Sequence, residues 1–122
     1  NNAAAQLSGQ TNVYDILVPN NSGVLLSDDE LDKLGGSDQK QAIEYYYGMM
    51  NGVKTVDIFD TLKAHKDEYI FFRTDHHWTA DGAYYAYEDF CKTKGITAIP
   101  RDKRKTDTFK GFLGSFYSRT LT

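Results

Sequence analysis

The sequence has a single cysteine, Cys91, and only two prolines and one tryptophan among its 122 residues. One cysteine excludes a disulfide bond within the chain, although it leaves the compartment open. No apolar stretch approaches the roughly 20 residues that a membrane-spanning helix needs, and no secretory signal is present. The chain begins at Asn1 rather than at a methionine, so we expect a processed or excised piece, and the missing targeting segment is uninformative.

Positive charge is also scarce, because 14 Lys and Arg residues face 17 Asp and Glu residues, for a net charge of −3. Binding to a nucleic-acid backbone needs clustered positive charge. The one basic run, residues 101–105, is interrupted by Asp102 and is typical of a solvated loop. We therefore predict no nucleic-acid partner. The length and the hydrophobic content of 40% are those of one globular domain.

The pattern along the chain predicts an α/β domain over residues 12–122, preceded by a polar linker or disordered terminus over residues 1–11. Short strands are predicted at 13–18, 53–56 and 69–72, and the apolar run Tyr69–Phe72 is typical of a strand buried on both faces. Helices are predicted after Ser27, whose partner in a capping box is Glu30, and over 39–50 and 57–66. Strands that alternate with helices favour a parallel sheet.

Thr79 is predicted to cap the clearest helix of the chain, which ends at Gly95. Its apolar side chains recur at helical spacing on one face, and Cys91 lies on that face, so we expect a buried and inert thiol.

No sustained period follows Pro100, and the sequence ends without a helix or strand stop signal. We therefore predict a truncated domain, with an exposed sheet edge beside Tyr69–Phe72 that favours self-association.

The residues that could carry chemistry follow the predicted buried strand directly: Asp75, His76, His77 and Trp78. In open α/β sheets, ligands bind outside the carboxyl ends of the strands. Asp75 and His77 are two residues apart, so in extended backbone they point to one side. The carboxylate could then hold the imidazole by its Nδ1–H and leave Nε2 free as a base. His76 is expected to point the other way.

Two alternatives to catalysis stay open at this motif, and catalysis itself lacks an evident nucleophile. An Asp-His pair can simply satisfy a buried turn, and Trp78 can belong to the core. A metal site is a second possibility, although adjacent histidines in extended backbone diverge and no helical His-x-x-x-His pair occurs. A nucleophile is also not evident, since there is no Gly-x-Ser-x-Gly elbow. Ser115 and Ser118 are the serines that could approach His77 in space.

The segment Phe72–Thr79, Phe-Arg-Thr-Asp-His-His-Trp-Thr, together with Asp81–Tyr87, resembles the DHHW protein family of Gram-positive gut bacteria. The segments around Val56–Tyr69 and Gly114–Thr120 resemble it as well. That family looks related to SGNH hydrolase-like alginate O-acetyltransferases, in which an Asp-x-His motif orients and activates a serine. The resemblance implies a three-layer SGNH or flavodoxin-like parallel sheet, here incomplete. It also implies that Asp75 and His77 are catalytic, with the serine lying later in the chain than any residue here.

The function expected from this resemblance is part of an extracytoplasmic carbohydrate esterase or O-acetyltransferase. It would act on a cell-wall or exported polysaccharide through a Ser-His-Asp mechanism, without a metal or other cofactor. Candidate substrate-binding residues are Arg73, Trp78, Ser115 and Tyr117, and the expected partner is a carbohydrate or another acylated substrate. The alternative is a non-catalytic module that keeps the fold and binds a glycan or a protein.

Overall fold

The computed structural model describes residues 1–120 of the chain. Two strands and seven α-helices follow one another within that range. In chain order they are α1 (Asn2–Gln6), β1 (Val13–Asp15), α2 (Asn21–Leu25), α3 (Asp28–Leu34), α4 (Gln39–Gly48), β2 (Val53–Thr55), α5 (Phe59–Ala64), α6 (Ala80–Lys94) and α7 (Ser115–Thr120), with a 3-10 turn at Arg101–Lys103.

Strands β1 and β2 pair in parallel, with Val13 opposite Val53 and Asp15 opposite Thr55. The Val56 N–H extends the pairing by donating to the carbonyl of Asp15 at 2.9 Å. A parallel pair requires a crossover connection, which here contains α2, α3 and α4. The chain is therefore an α/β protein, as the alternation of strands and helices predicts, with a small two-stranded parallel sheet.

Two predicted helix starts are confirmed. The Glu30 carboxylate accepts a hydrogen bond from the Ser27 backbone N–H at 2.8 Å, which is one half of a capping box. The Thr79 hydroxyl accepts from the Gly82 N–H at 3.3 Å and opens α6. Gly95 ends that helix in the left-handed conformation, with φ of 75°. These ends are set by local hydrogen bonds, which is why the sequence reveals them.

The core lies where α2, α5 and α6 meet the segment around residue 70. Its buried members are Val24, Val56, Ile58, Leu62, Ile70, Phe71 and Ala86, and Trp78 packs against it from the edge. Cys91 is buried on α6, as predicted, and is a free thiol.

The prediction for Tyr69–Phe72 is wrong in one respect. Ile70 and Phe71 are buried, but Tyr69 is exposed, and the segment is not part of the parallel sheet. Phe71 instead forms an isolated antiparallel bridge with Trp78. A buried apolar run alone does not distinguish a central strand from one arm of a tight reversal.

Two helices that the sequence does not predict lie near the ends of the described range. Residues 2–6 form α1, where Ala4 is buried, rather than a linker. Asn1 fixes that helix, because its side-chain oxygen accepts from the Asn51 N–H at 2.8 Å. Ser115–Thr120 forms α7 in a region without a sequence period, and Leu121 and Thr122 lie outside the described residues. Among residues 1–120, no helix has the length and apolar character to cross a bilayer.

Candidate functional site

The predicted motif lies on a short loop, residues 73–77, between Phe71 and Trp78. Its base is closed by three hydrogen bonds: Phe72 N–H to the His77 carbonyl at 3.2 Å, Thr79 N–H to the Ile70 carbonyl at 2.8 Å, and the Thr79 hydroxyl to the Tyr69 carbonyl at 2.7 Å. Thr79 thus belongs both to this base and to the start of α6. The loop is therefore fixed to the core at both of its ends.

Asp75 is the most buried polar residue of the loop, with 6% of its surface exposed. One carboxylate oxygen, Oδ1, lies 2.8 Å from the His77 backbone nitrogen and 2.5 Å from His77 Nδ1. The other, Oδ2, accepts from the Ser115 N–H at 2.7 Å. Hydrogen bonds from two backbone N–H groups hold the pKa of the Asp75 carboxyl well below its ordinary value. The bond from Ser115 has the larger effect and the bond from His77 the next. Asp75 is therefore an anion at neutral pH.

This pKa shift predicts how stability depends on pH. The pKa of the Asp75 carboxyl is lower in the folded chain than its ordinary value of 3.8. The carboxylate therefore contributes fully to folding stability above that pH, and this contribution is lost as the pH falls below it. We expect urea unfolding to show a larger drop in stability from about pH 6 to about pH 3 for the parent than for Asp75→Asn. Equal drops in the two proteins would show that Asp75 is not held as an anion by the fold.

His77 is 65% exposed in its side chain, although its Nδ1 is held by Asp75. Because the carboxylate carries no proton, the hydrogen on this bond belongs to His77 Nδ1. The Nε2 lone pair is then free to accept a proton. The structure thus brings together the two residues that the Asp-x-His spacing pairs, and their catalytic role remains a prediction.

His76 does not point away from His77, and that expectation is wrong. The two imidazole rings pack against each other at a tilt, with centroids 3.8 Å apart and planes 37° apart. Residues 73–77 form a bend rather than extended backbone, so the alternation of side chains across a strand does not apply. His76 Nδ1 lies 2.8 Å from the Ser115 hydroxyl and 3.7 Å from Asp75 Oδ1.

A second segment, Gly114–Phe116 at the start of α7, completes the site from about 40 residues away in sequence. The Gly114 N–H donates to the Thr74 hydroxyl at 3.2 Å, and the Phe116 N–H donates to the Thr74 carbonyl at 3.0 Å. A Cβ at Gly114 would lie 2.3 Å from the Asp75 Cβ. Only glycine therefore allows this approach of the two backbones.

Ser115 is close to the site histidines, but its hydroxyl contacts His76 rather than His77. The Ser118 hydroxyl forms no hydrogen bond with either ring and donates instead to the Ser115 carbonyl at 2.9 Å. Among residues 1–120, no hydroxyl forms a hydrogen bond with His77. The expected serine partner of His77 is therefore not found in the described part of the chain.

The other predicted binding residues surround the loop without forming one surface. Arg73 is exposed, with its guanidinium 5.9 Å from the centre of the Tyr69 ring. Trp78 is partly buried and lines an apolar pocket of about 360 Å³ with residues of α6, while Tyr117 is 40% exposed on α7. Their roles in substrate binding stay predictions.

Asp75, His76 and His77 also carry ligand atoms within 4.8 Å of one another, so the three residue types could hold a metal. The two histidines do not diverge, so the expected divergence is no reason against a metal. However, Asp75 Oδ1 and His77 Nδ1 are 2.5 Å apart, and His76 Nδ1 is bonded to Ser115. Those contacts fit shared protons better than two ligands of one ion, since adjacent ligands on bonds of about 2.1 Å lie roughly 3 Å apart.

Sequence reasoning missed Thr74 and Gly114, which join the two segments of the site. Both lie in segments that carry the family resemblance, but the sequence assigns neither of them a role. The signal that is present is Gly114 itself, because glycine is the residue that allows the chain to approach another group closely.

The fold and the site together describe an α/β protein with a solvent-exposed histidine held by a buried carboxylate. A family model described as "DHHW protein" matches residues 1–122, and the chain belongs to that family. The crystal structure of a DHHW family protein from Eubacterium siraeum DSM 15702 is similar, with 32% identity and a TM-score of 0.85. The match covers 96% of this chain and 38% of that one, so this chain spans well under half of its relative. A search of curated proteins found no match.

Proposed function

We propose that this chain supplies the general base of an acyl-transfer site, with His77 as the base and Asp75 as the residue that orients it. The observation that carries the proposal is the contact of Asp75 Oδ1 with His77 Nδ1, made by a buried carboxylate to an exposed imidazole. This arrangement fixes the tautomer, directs Nε2 to solvent, and stabilises the imidazolium that forms after proton transfer.

The whole protein, in this proposal, is a carbohydrate esterase or O-acetyltransferase with a three-layer SGNH-like sheet. It acts outside the cytoplasm on a cell-wall or exported polysaccharide. The nucleophile is a serine outside residues 1–120. The chain spans 38% of its relative, so most of a protein of that length lies outside these residues. His77 Nε2 takes the serine proton during attack on the ester carbonyl and returns it to the leaving oxygen.

The test is ester turnover by the gene product that carries this chain. We expect acetate release from an aryl acetate by the parent, and a fall of about 10²- to 10⁴-fold for His77→Ala, the range that positioned proton transfer contributes. His65→Ala is the matched control, because the His65 ring is bonded to Glu68 and stacks on Tyr85, neither of which belongs to the loop. Equal turnover by the parent and His77→Ala would exclude His77 as the base.

The alternative of a non-catalytic binding module is favoured by one observation. Within the described residues, the His77 ring has no hydroxyl partner, and the nearby serine is engaged with His76. In that case Asp75 and His77 would only brace the loop. The gene product and its His77→Ala variant would then be equally inert toward esters, while polysaccharide binding would persist in both.

A further inference from the structure

The two site histidines have different hydrogen-bond partners, although their rings lie together. Both rings turn Nδ1 toward the protein, His77 to Asp75 and His76 to Ser115. Their side chains are 56% and 65% exposed for His76 and His77. Because Nδ1 is the bonded nitrogen of each ring, Nε2 is the nitrogen that remains for a ligand. The site therefore offers the Nε2 atoms of two half-exposed rings whose centroids are 3.8 Å apart.

The partner of His77 determines which nitrogen of that ring holds a proton, whereas the partner of His76 is a hydroxyl, which can donate or accept. Asp75 is an acceptor only, so His77 keeps its proton on Nδ1 and leaves Nε2 bare. Asp75 Oδ1 already accepts from two N–H groups of His77, and at 3.7 Å it is too far to bond His76 Nδ1. The Ser115 hydroxyl, which can donate, is the group within bonding distance of His76 Nδ1.

We propose that Ser115 donates its hydroxyl proton to His76 Nδ1, so that His76 carries its own proton on Nε2 and offers a hydrogen-bond donor beside the acceptor Nε2 of His77. The loop then holds a donor and an acceptor side by side. The pair fits a nucleophilic hydroxyl at His77 Nε2 beside a ligand whose carbonyl or ester oxygen gains negative charge at His76 Nε2–H. His76 becomes a second substrate-contacting residue, and Ser115 is its positioning residue.

The catalytic role of His76 rests on the proposed function, whereas the assignment of its tautomer does not. As the nucleophilic oxygen bonds to the carbonyl carbon, its proton moves to His77 Nε2 and the carbonyl π pair moves to the carbonyl oxygen. The His76 Nε2–H donates a hydrogen bond to that oxyanion. When the carbonyl re-forms, the carbon–oxygen bond to the leaving group breaks and the leaving oxygen takes the proton from His77. A donor aimed at developing charge is the usual device of an oxyanion site.

The tautomers can be measured without any activity, by long-range ¹H–¹⁵N correlation on the ¹⁵N-labelled chain at a pH where the rings are neutral. We expect a proton on Nε2 of His76 and on Nδ1 of His77. Ser115→Ala keeps the backbone N–H that bonds Asp75 but removes the hydroxyl, so His76 should change to a tautomer mixture while His77 is unaffected. Ser115→Thr should restore the parent pattern, and Ser8→Ala, an exposed serine, is the control.

A proton on Nδ1 of His76 in the parent would overturn the proposal, and so would an unchanged His76 tautomer in Ser115→Ala. In the gene product, His76→Ala should lower kcat for an aryl acetate by about 10²- to 10³-fold with little change in KM, as expected for a lost oxyanion donor. Full activity of His76→Ala would exclude the donor role. If the parent releases no acetate, the proposed function fails, while the tautomer result still decides the role of Ser115.

Discussion

Asp75→Asn is expected to lower ester turnover of the gene product on the order of 10⁴-fold, the effect known for replacing the carboxylate that orients a catalytic histidine. Both oxygens of Asp75 accept backbone N–H groups, from His77 on one side and Ser115 on the other. An asparagine amide must therefore turn its NH₂ toward one of two donors. If it faces His77, it also donates to Nδ1 and moves the imidazole proton to Nε2, so the base is lost. If it faces Ser115, the His77 tautomer is kept, but the negative charge that stabilises the imidazolium is lost.

The control for this prediction is Asp67→Asn, which changes an exposed carboxylate on the segment before the loop. It removes the same charge without touching the site, and we expect turnover within a factor of about two of the parent, as for most distant surface changes. Activity of Asp75→Asn near that of Asp67→Asn would mean that Asp75 does not orient the base.

Gly114→Ala is expected to destabilise the chain by about 1–3 kcal/mol or more, because the new methyl group overlaps atoms that cannot easily move. It would meet the Thr74 carbonyl oxygen at 2.6 Å and the Asp75 Cβ at 2.3 Å. To relieve this overlap, residues 114–116 must move away from the loop. Asp75 Oδ2 then loses the hydrogen bond from the Ser115 N–H. The measurement is urea unfolding, together with turnover of the gene product, which should fall as well.

Gly48→Ala is the matched control, since a Cβ there meets nothing within 4 Å. Alanine in a helix is more favourable than glycine, so this variant should be at least as stable as the parent. Gly114→Ala with parental stability and parental activity would show that the start of α7 does not dock on the loop.

The features that the sequence predicts well are those set by neighbouring residues. The helix starts at Ser27 and Thr79 and the end at Gly95 follow from local hydrogen bonds and from glycine conformation. The pairing of Asp75 with His77 also depends on two positions only. Each of these is decided within one turn of the chain, where side-chain spacing is a sufficient guide.

The errors concern features that distant contacts decide. Ile70 and Phe71 are buried, and Phe71 pairs with Trp78 across a tight loop instead of joining the parallel sheet. The six residues of α7 have no strong helical pattern, and their first turn is fixed by Thr74 and Asp75. The orientation of His76 depends on that same docking through Ser115. Local pattern cannot reveal a helix or a rotamer whose stability comes from tertiary contacts.

The central claim is that Asp75 makes His77 a base, and the position of the proton on the His77 ring tests it most directly. In ¹⁵N-labelled chain at a pH where the ring is neutral, we predict an Nδ1 bearing the proton and an unprotonated Nε2, with this preference lost in Asp75→Asn. A proton on Nε2 of His77 in the parent would contradict the account, because the nitrogen that must accept the substrate proton would already be occupied.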